Sequence, residues 1–136
     1  MQTNVIIVDD FYGIDPMIPR NFALSQEFQT YGNYPGQRTR TWHYNELRNC
    51  IQGLVQQAGG NITQFEEIQY NGSYQYTTKH DSSWIHCDQT TMWAGVCYLT
   101  PDAPLNSGTA LYRHKETGLY SAPRHTDGSY DEELGR

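Results

Sequence analysis

Apolar residues recur with two different spacings along the chain, and the change of spacing separates a helical part from an extended part. Between residues 44 and about 58 an apolar side chain returns every three or four positions, which predicts an amphipathic helix. Its stripe consists of Leu47, Ile51, Leu54 and Val55. Gly59-Gly60 follows as a helix stop. An earlier helix is predicted from Asp15 to about Phe28, with Asp15 as N-cap and Pro16 at the first helical position.

From Ile62 onward the apolar period changes from helical to extended, which is typical of strands. Asn71-Gly72 is a favoured hairpin turn between predicted strands at 65–70 and 73–78. Further strands are predicted at 5–8, 91–99 and 109–114. Helices followed by successive strands indicate an α+β fold, with N-terminal helices packed on an antiparallel, jelly-roll-like sheet, a double-stranded β-helix.

Composition narrows the class of protein. A chain of 136 residues predicts one domain, spanning residues 1–136. The net charge of −6 and the lack of a Lys/Arg cluster argue against a nucleic-acid surface. No apolar run reaches the length of a membrane span, and no basic leader opens the sequence, so we expect a cytoplasmic protein without a membrane partner. Cys50, Cys87 and Cys97 lack C-x-x-C spacing and are predicted to be small buried hydrophobes in a reducing compartment.

The chemistry of the sequence concentrates at His86 and Asp88. Side chains at i and i+2 of an extended chain point to the same face, so these two converge while Cys87 points away. With a second His they would form the facial triad that holds non-heme Fe(II) and leaves coordination positions open. The alternative is a His–Asp pair in a turn whose members hydrogen-bond each other.

Residues 84–115 resemble the core of the Fe(II)/2-oxoglutarate-dependent oxygenases of the prolyl-hydroxylase and phytanoyl-CoA-hydroxylase type. The segment carries the His-x-Asp pair and a later Gly-x-x-x-Tyr-x-His segment that ends at His114. More narrowly, this segment and the signals at 8–12 and 32–36 resemble a group of uncharacterised phage and bacterial proteins in that superfamily. The resemblance implies two cofactors, Fe(II) and the cosubstrate 2-oxoglutarate.

The resemblance also implies roles for individual residues. The metal ligands would be His86, Asp88 and His114, with His125 or neither as alternatives to His114. Tyr74, Tyr76 and Arg113 would bind the cosubstrate. The family's distal His and the Arg after it have no counterpart before residue 136, so we expect a chain that is incomplete at its C-terminus.

The expected activity is hydroxylation of an unknown peptide or small-molecule substrate, with little or no turnover by these 136 residues alone. Missing strands would leave an exposed sheet edge, which natural proteins seldom leave unpaired. We therefore expect a homodimer formed along that edge. Two alternatives stay open, a non-catalytic jelly-roll or cupin-like binding module and a structural phage-type protein.

Overall fold

The computed structural model describes residues 5–30, 32, 34–42, 44–66, 70–88 and 91–133. These residues contain helices α1 (Met17–Leu24) and α2 (Asn45–Gln57) and strands β1 (Gln37–Thr41) and β2 (Ser73–Tyr76). The chain divides into two compact units, Met1–Ser82 and Ser83–Arg136, and all four elements lie in the first. The prediction of an α+β fold is therefore confirmed at the level of class.

Helix α1 begins as the sequence predicts. The Oδ1 atom of Asp15 accepts a hydrogen bond from the backbone N–H of Met17 at 2.9 Å, so Asp15 caps the helix. Pro16 already has helical angles, φ −62° and ψ −17°. The helix ends at Leu24, before the predicted Phe28, because side chains of the next two residues take over a carbonyl of its last turn. Ser25 and Gln26 both donate to the carbonyl oxygen of Phe22.

Helix α2 matches its predicted bounds to within one residue at each end. The backbone N–H of Gly60 donates to the carbonyl oxygen of Val55, and the N–H of Gly59 donates to that of Gln56. These two bonds form a Schellman motif, and Gly59 adopts the positive φ of +82° that the motif requires. Within the apolar stripe, the side chain of Val55 is buried, at only 4% exposed.

The sheet differs from the predicted hairpin. β2 pairs in antiparallel fashion with β1, some 35 residues earlier in the chain, and the described residues 65, 66 and 70 of the predicted partner form no strand. Residues 67–69 lie outside the described ranges. β1 has the sequence Gln-Arg-Thr-Arg-Thr, which offers no apolar alternation to reveal a strand. Its pairing depends on backbone hydrogen bonds and on one buried side chain, Thr39.

The strand predictions at 5–8, 91–99 and 109–114 are wrong for the described chain, which forms no ladder there. An alternating segment becomes a strand only when a partner strand and an apolar surface are available. Here the apolar side chains stay in contact with solvent: Ile7 is 85% exposed, Val96 66% and Leu111 79%. The sheet that forms is two-stranded.

The apolar core of the described residues is small. Its buried apolar side chains are Pro19, Ala23 and Val55, and Thr39 of the same unit is fully buried. The prediction of buried cysteines is wrong, since Cys50, Cys87 and Cys97 are all exposed, and none of them is in a disulfide. Cys50 precedes Val55 by five residues, about 140° around the helix, and so points away from the buried side. No helix in the described ranges is long and apolar enough to cross a membrane.

Candidate functional site

His86 and Asp88 lie together in the second unit, outside the helices and strands of the described chain. The Nε2 atom of His86 is 4.0 Å from the Oδ1 atom of Asp88. This approach is the geometry that the i, i+2 alternation predicts. The two side chains are 58% and 54% exposed, so both are open to a ligand from solvent.

The other ring nitrogen of His86 is occupied. Its Nδ1 atom lies 3.0 Å from the carbonyl oxygen of Trp84. A carbonyl oxygen can only accept, so Nδ1 donates the hydrogen and the neutral ring has its lone pair on Nε2. That lone pair lies near the carboxylate of Asp88, so the two groups together offer two acceptor atoms to a cation.

A bound cation fits this pair after a small adjustment. Two ligand atoms about 2.1 Å from an octahedral ion, at right angles, lie about 3 Å apart. The observed 4.0 Å therefore has to close by about 1 Å, which rotation of two half-exposed side chains can supply. In metal sites a backbone carbonyl often accepts a hydrogen bond from the ring nitrogen of a ligating His that does not bind the metal, which fixes the orientation of the ring. Here Trp84 is in that position.

His114 is engaged in a turn of its own. Its Nδ1 atom lies 2.8 Å from the hydroxyl of Thr117 and 3.4 Å from the backbone N–H of Thr117. Because the N–H donates, Nδ1 accepts and the neutral ring has its hydrogen on Nε2. Among the described residues, no group of three His, Cys, Asp or Glu is placed to hold a metal ion. The structure thus brings together His86 and Asp88 but not all three predicted ligands.

The predicted cosubstrate residues have separate local roles. The ring of Tyr74 packs edge-on against Phe22, with centroids 6.0 Å apart, as a core aromatic would. The hydroxyl of Tyr76 donates to the side chain of Gln37 at 2.6 Å. The Arg113 guanidinium lies 5.8 Å from the ring centre of Tyr120. Tyr74 and Tyr76 belong to the first unit and Arg113 to the second.

A turn-closed hairpin over residues 123–131 was not predicted. The backbone N–H of His125 donates to the carbonyl oxygen of Ser129, and Arg124 forms a bridge with Tyr130. Arg124 also donates to the carbonyl oxygen of Thr91 at 3.2 Å. The dipeptide Asp127-Gly128 is a turn signal that could have revealed this hairpin.

This hairpin contacts the segment of the proposed ligands. Cys87 is the residue between His86 and Asp88, and its Sγ atom lies 3.9 Å from the hydroxyl of Tyr130. His125, the alternative third ligand, has its Nδ1 atom 3.8 Å from a carboxylate oxygen of Asp131. Sequence reasoning missed Asp131 as a partner because the two residues are six positions apart and meet only through the hairpin.

Two carboxylates have a lowered pKa, and both owe it to local hydrogen bonds. The hydroxyl and then the backbone N–H of Ser129 donate to Asp127 and lower its pKa below the ordinary 3.8. The backbone N–H and then the hydroxyl of Thr78 do the same for the pKa of Asp81. Both carboxylates close turns, so their shifts mark structure and not a catalytic group.

The first unit also has an open cavity of about 450 Å³. Tyr76 is one of its lining residues, and the others include Gln37, His80 and Asp81. Gly36 lies in its wall with a φ of +76°, at a point where a Cβ atom would collide with the carbonyl oxygen of Tyr76. Sequence reasoning placed Tyr76 at a binding site but gave no sign of this cavity.

The fold and the site define an α+β protein that exposes a His-x-Asp pair. The chain belongs to the family of unknown function DUF6445, whose model matches residues 1–136. Neither a curated protein nor a solved structure matches it significantly.

Proposed function

We propose that this protein is an Fe(II)- and 2-oxoglutarate-dependent oxygenase that hydroxylates a peptide or a small molecule. The observation that carries the proposal is the convergence of His86 Nε2 and Asp88 Oδ1 at 4.0 Å. The hydrogen bond between His86 Nδ1 and the Trp84 carbonyl supports it, because the lone pair that can bind a metal is then on Nε2. A neutral imidazole and a carboxylate are the ligand types that non-heme Fe(II) takes in facial triads.

In this proposal His86 and Asp88 would hold the ion through Nε2 and a carboxylate oxygen. Fe(II) with 2-oxoglutarate, when bound, would supply the oxidising chemistry that hydroxylates the substrate. The exposure of both side chains gives a substrate direct access to the ion. Trp84 orients the imidazole through its backbone and lies beside it, with ring centroids 5.8 Å apart.

His114 is the proposed third ligand. To take part, its ring has to exchange the hydrogen bond with Thr117 for the metal, since Nδ1 is now an acceptor for that residue. Arg113 is proposed to pair with the far carboxylate of the cosubstrate, because a guanidinium binds carboxylates in bidentate fashion. Tyr74 and Tyr76 keep the cosubstrate-binding role that the resemblance implies. A jelly-roll form of the sheet belongs to the same proposal.

A non-catalytic role is the second candidate, and a specific observation favours it. Within the described ranges no third His, Cys, Asp or Glu joins His86 and Asp88 in a group that could hold a metal ion. A site with two protein ligands is less preorganised for an ion than a site with three. Its affinity for the metal is therefore lower, and water fills more of the coordination positions. A binding or structural protein with an exposed His–Asp pair would have these features.

Anaerobic Fe(II) titration with and without 2-oxoglutarate distinguishes the two candidates. An oxygenase site binds the ion and the cosubstrate together, so each should tighten the binding of the other. Succinate release with a candidate substrate would then measure turnover. Fe(II) binding that is indifferent to 2-oxoglutarate would favour the non-catalytic role and overturn the oxygenase proposal.

A further inference from the structure

A second cleft of the first unit lies between the chain that follows α1 and strand β1. Its volume is about 410 Å³, and it is lined by Gln26, Glu27, Gln29, Thr39 and Arg40. Its two walls are joined by backbone hydrogen bonds, since Gln29 and Arg38 exchange N–H to carbonyl bonds of 2.9 and 3.0 Å. The cleft is therefore fixed by secondary structure and not by loose side chains.

Arg40 is a lining residue of this cleft, and stacking restrains its guanidinium. The central carbon of the guanidinium lies 4.0 Å from the ring centre of Trp42, in a cation–π contact. Within the described residues it makes no hydrogen bond or ion pair, in contrast to Arg38, which donates to Gln75 at 2.7 Å. A stacked guanidinium with free N–H groups is suited to bind a carboxylate.

Glu27 brings the opposite charge to the same cleft. One carboxylate oxygen accepts a hydrogen bond of 3.1 Å from the side-chain amide of Gln29, which restrains the group. No ion pair within 4.0 Å joins Glu27 to Arg40, although both line the cleft. Charges of opposite sign among the lining residues of one cavity suit a molecule that carries both charges.

We propose that this cleft binds a free α-amino acid, with its carboxylate on Arg40 and its ammonium group on Glu27. A simple anion would gain Arg40 but meet the carboxylate of Glu27, and a simple cation would meet the opposite conflict. A zwitterion satisfies both charges at once. The amides of Gln26 and Gln29 give the remaining wall a polar character that suits the polar atoms of such a ligand. The site needs no metal, so it stands or falls separately from the His86–Asp88 proposal.

The test is calorimetric titration of the metal-free protein with L-alanine and with two analogues that each lack one charge. N-acetyl-L-alanine lacks the ammonium group, and L-alanine amide lacks the carboxylate. Each analogue should bind at least about tenfold more weakly than L-alanine, because each leaves one charged group of the cleft without its partner.

Site variants locate the binding. Glu27→Gln should weaken L-alanine binding at least about tenfold and Arg40→Gln by a similar factor, whereas Glu46→Gln, an exposed carboxylate at the start of α2, serves as the matched control and should leave it unchanged. Circular dichroism checks that each variant keeps its helices. No L-alanine binding by the wild-type protein, equal binding of N-acetyl-L-alanine, or unchanged binding by both cleft variants would overturn the proposal.

Discussion

The hydroxyl of Thr39 accepts a hydrogen bond of 3.1 Å from the backbone N–H of Tyr74, at the point where β1 and β2 lose register. Between the pairs Arg38–Gln75 and Thr41–Ser73, β1 carries one residue more than β2. Such a bulge disrupts the ladder locally. The buried hydroxyl replaces the missing backbone acceptor, and it also donates to the carbonyl oxygen of Arg40 at 2.7 Å.

Thr39→Val should therefore destabilise the first unit. The substitution keeps the shape of the side chain but leaves the Tyr74 N–H without its acceptor, which costs about 1–3 kcal/mol in the free energy of unfolding. Thr39→Ser keeps the hydroxyl and is the matched control. Denaturant unfolding measures both variants, and a Thr39→Val protein as stable as the wild type would contradict this role.

Gly36→Ala should destabilise more than Gly13→Ala. Both glycines have positive φ, +76° and +60°, so both substitutions carry the left-handed strain of about 1–2 kcal/mol. Only at Gly36 would the new methyl group collide with the backbone of Tyr76, while Gly13 has open space. Equal losses of unfolding free energy for the two variants would contradict this prediction. They would show that the backbone of Tyr76 moves away from the new methyl group at position 36 without destabilising the fold.

The hairpin at 123–131 should lose stability in acid through Asp127. Hydrogen bonds from Ser129 lower the folded-state pKa of Asp127, so the ionised carboxylate favours the folded hairpin. That contribution is present above the unfolded value of about 3.8 and disappears as pH falls through the lower folded pKa. The stability of the hairpin in the Asp127→Asn variant should therefore differ most from that of the wild type above pH 3.8. The difference in stability should be smallest in stronger acid.

Amide hydrogen exchange of the hairpin across this pH range checks the prediction. Asp102→Asn, in an exposed turn that also has a positive φ, is the control and should show no such convergence. A difference between wild type and Asp127→Asn that grows as pH falls would have the wrong sign for this account.

Self-association along β2 is the fourth prediction. β1 is flanked on its other side by the bridge to Gln29, whereas β2 pairs with β1 alone among the described elements. A strand edge of this kind can pair with a second copy. Light scattering should give twice the mass of one chain, and a monomeric mass at high protein concentration would contradict the dimer.

The accuracy of the sequence predictions follows the range of the interactions involved. The Asp15 cap and the Gly59-Gly60 stop involve neighbours within one helical turn, so residue type alone reveals them. β1 escaped prediction because its partner lies far along the chain and its residues are polar. The segments at 91–99 and 109–114 have strand-like composition, but composition supplies no partner strand.

The candidate sites follow the same rule. His86 and Asp88 could be paired from sequence because the i, i+2 relation of an extended chain fixes their common face. Arg40 stands in a polar strand sequence that does not mark it as part of a cleft. Its relation to Glu27 depends on the Gln29–Arg38 bridge, which no local pattern encodes. The hairpin pair of His125 and Asp131 was hidden for the same reason.

The central claim is that His86 and Asp88 bind a metal ion, and anaerobic Fe(II) titration followed by NMR tests it most directly. A paramagnetic ion at the pair should broaden the resonances of His86 and Asp88 first. The double substitution of His86→Ala with Asp88→Ala should abolish that binding, while His80→Ala, an exposed His of the first unit, should leave it intact. Fe(II) binding that survives the double substitution, or broadening that begins elsewhere, would contradict the account.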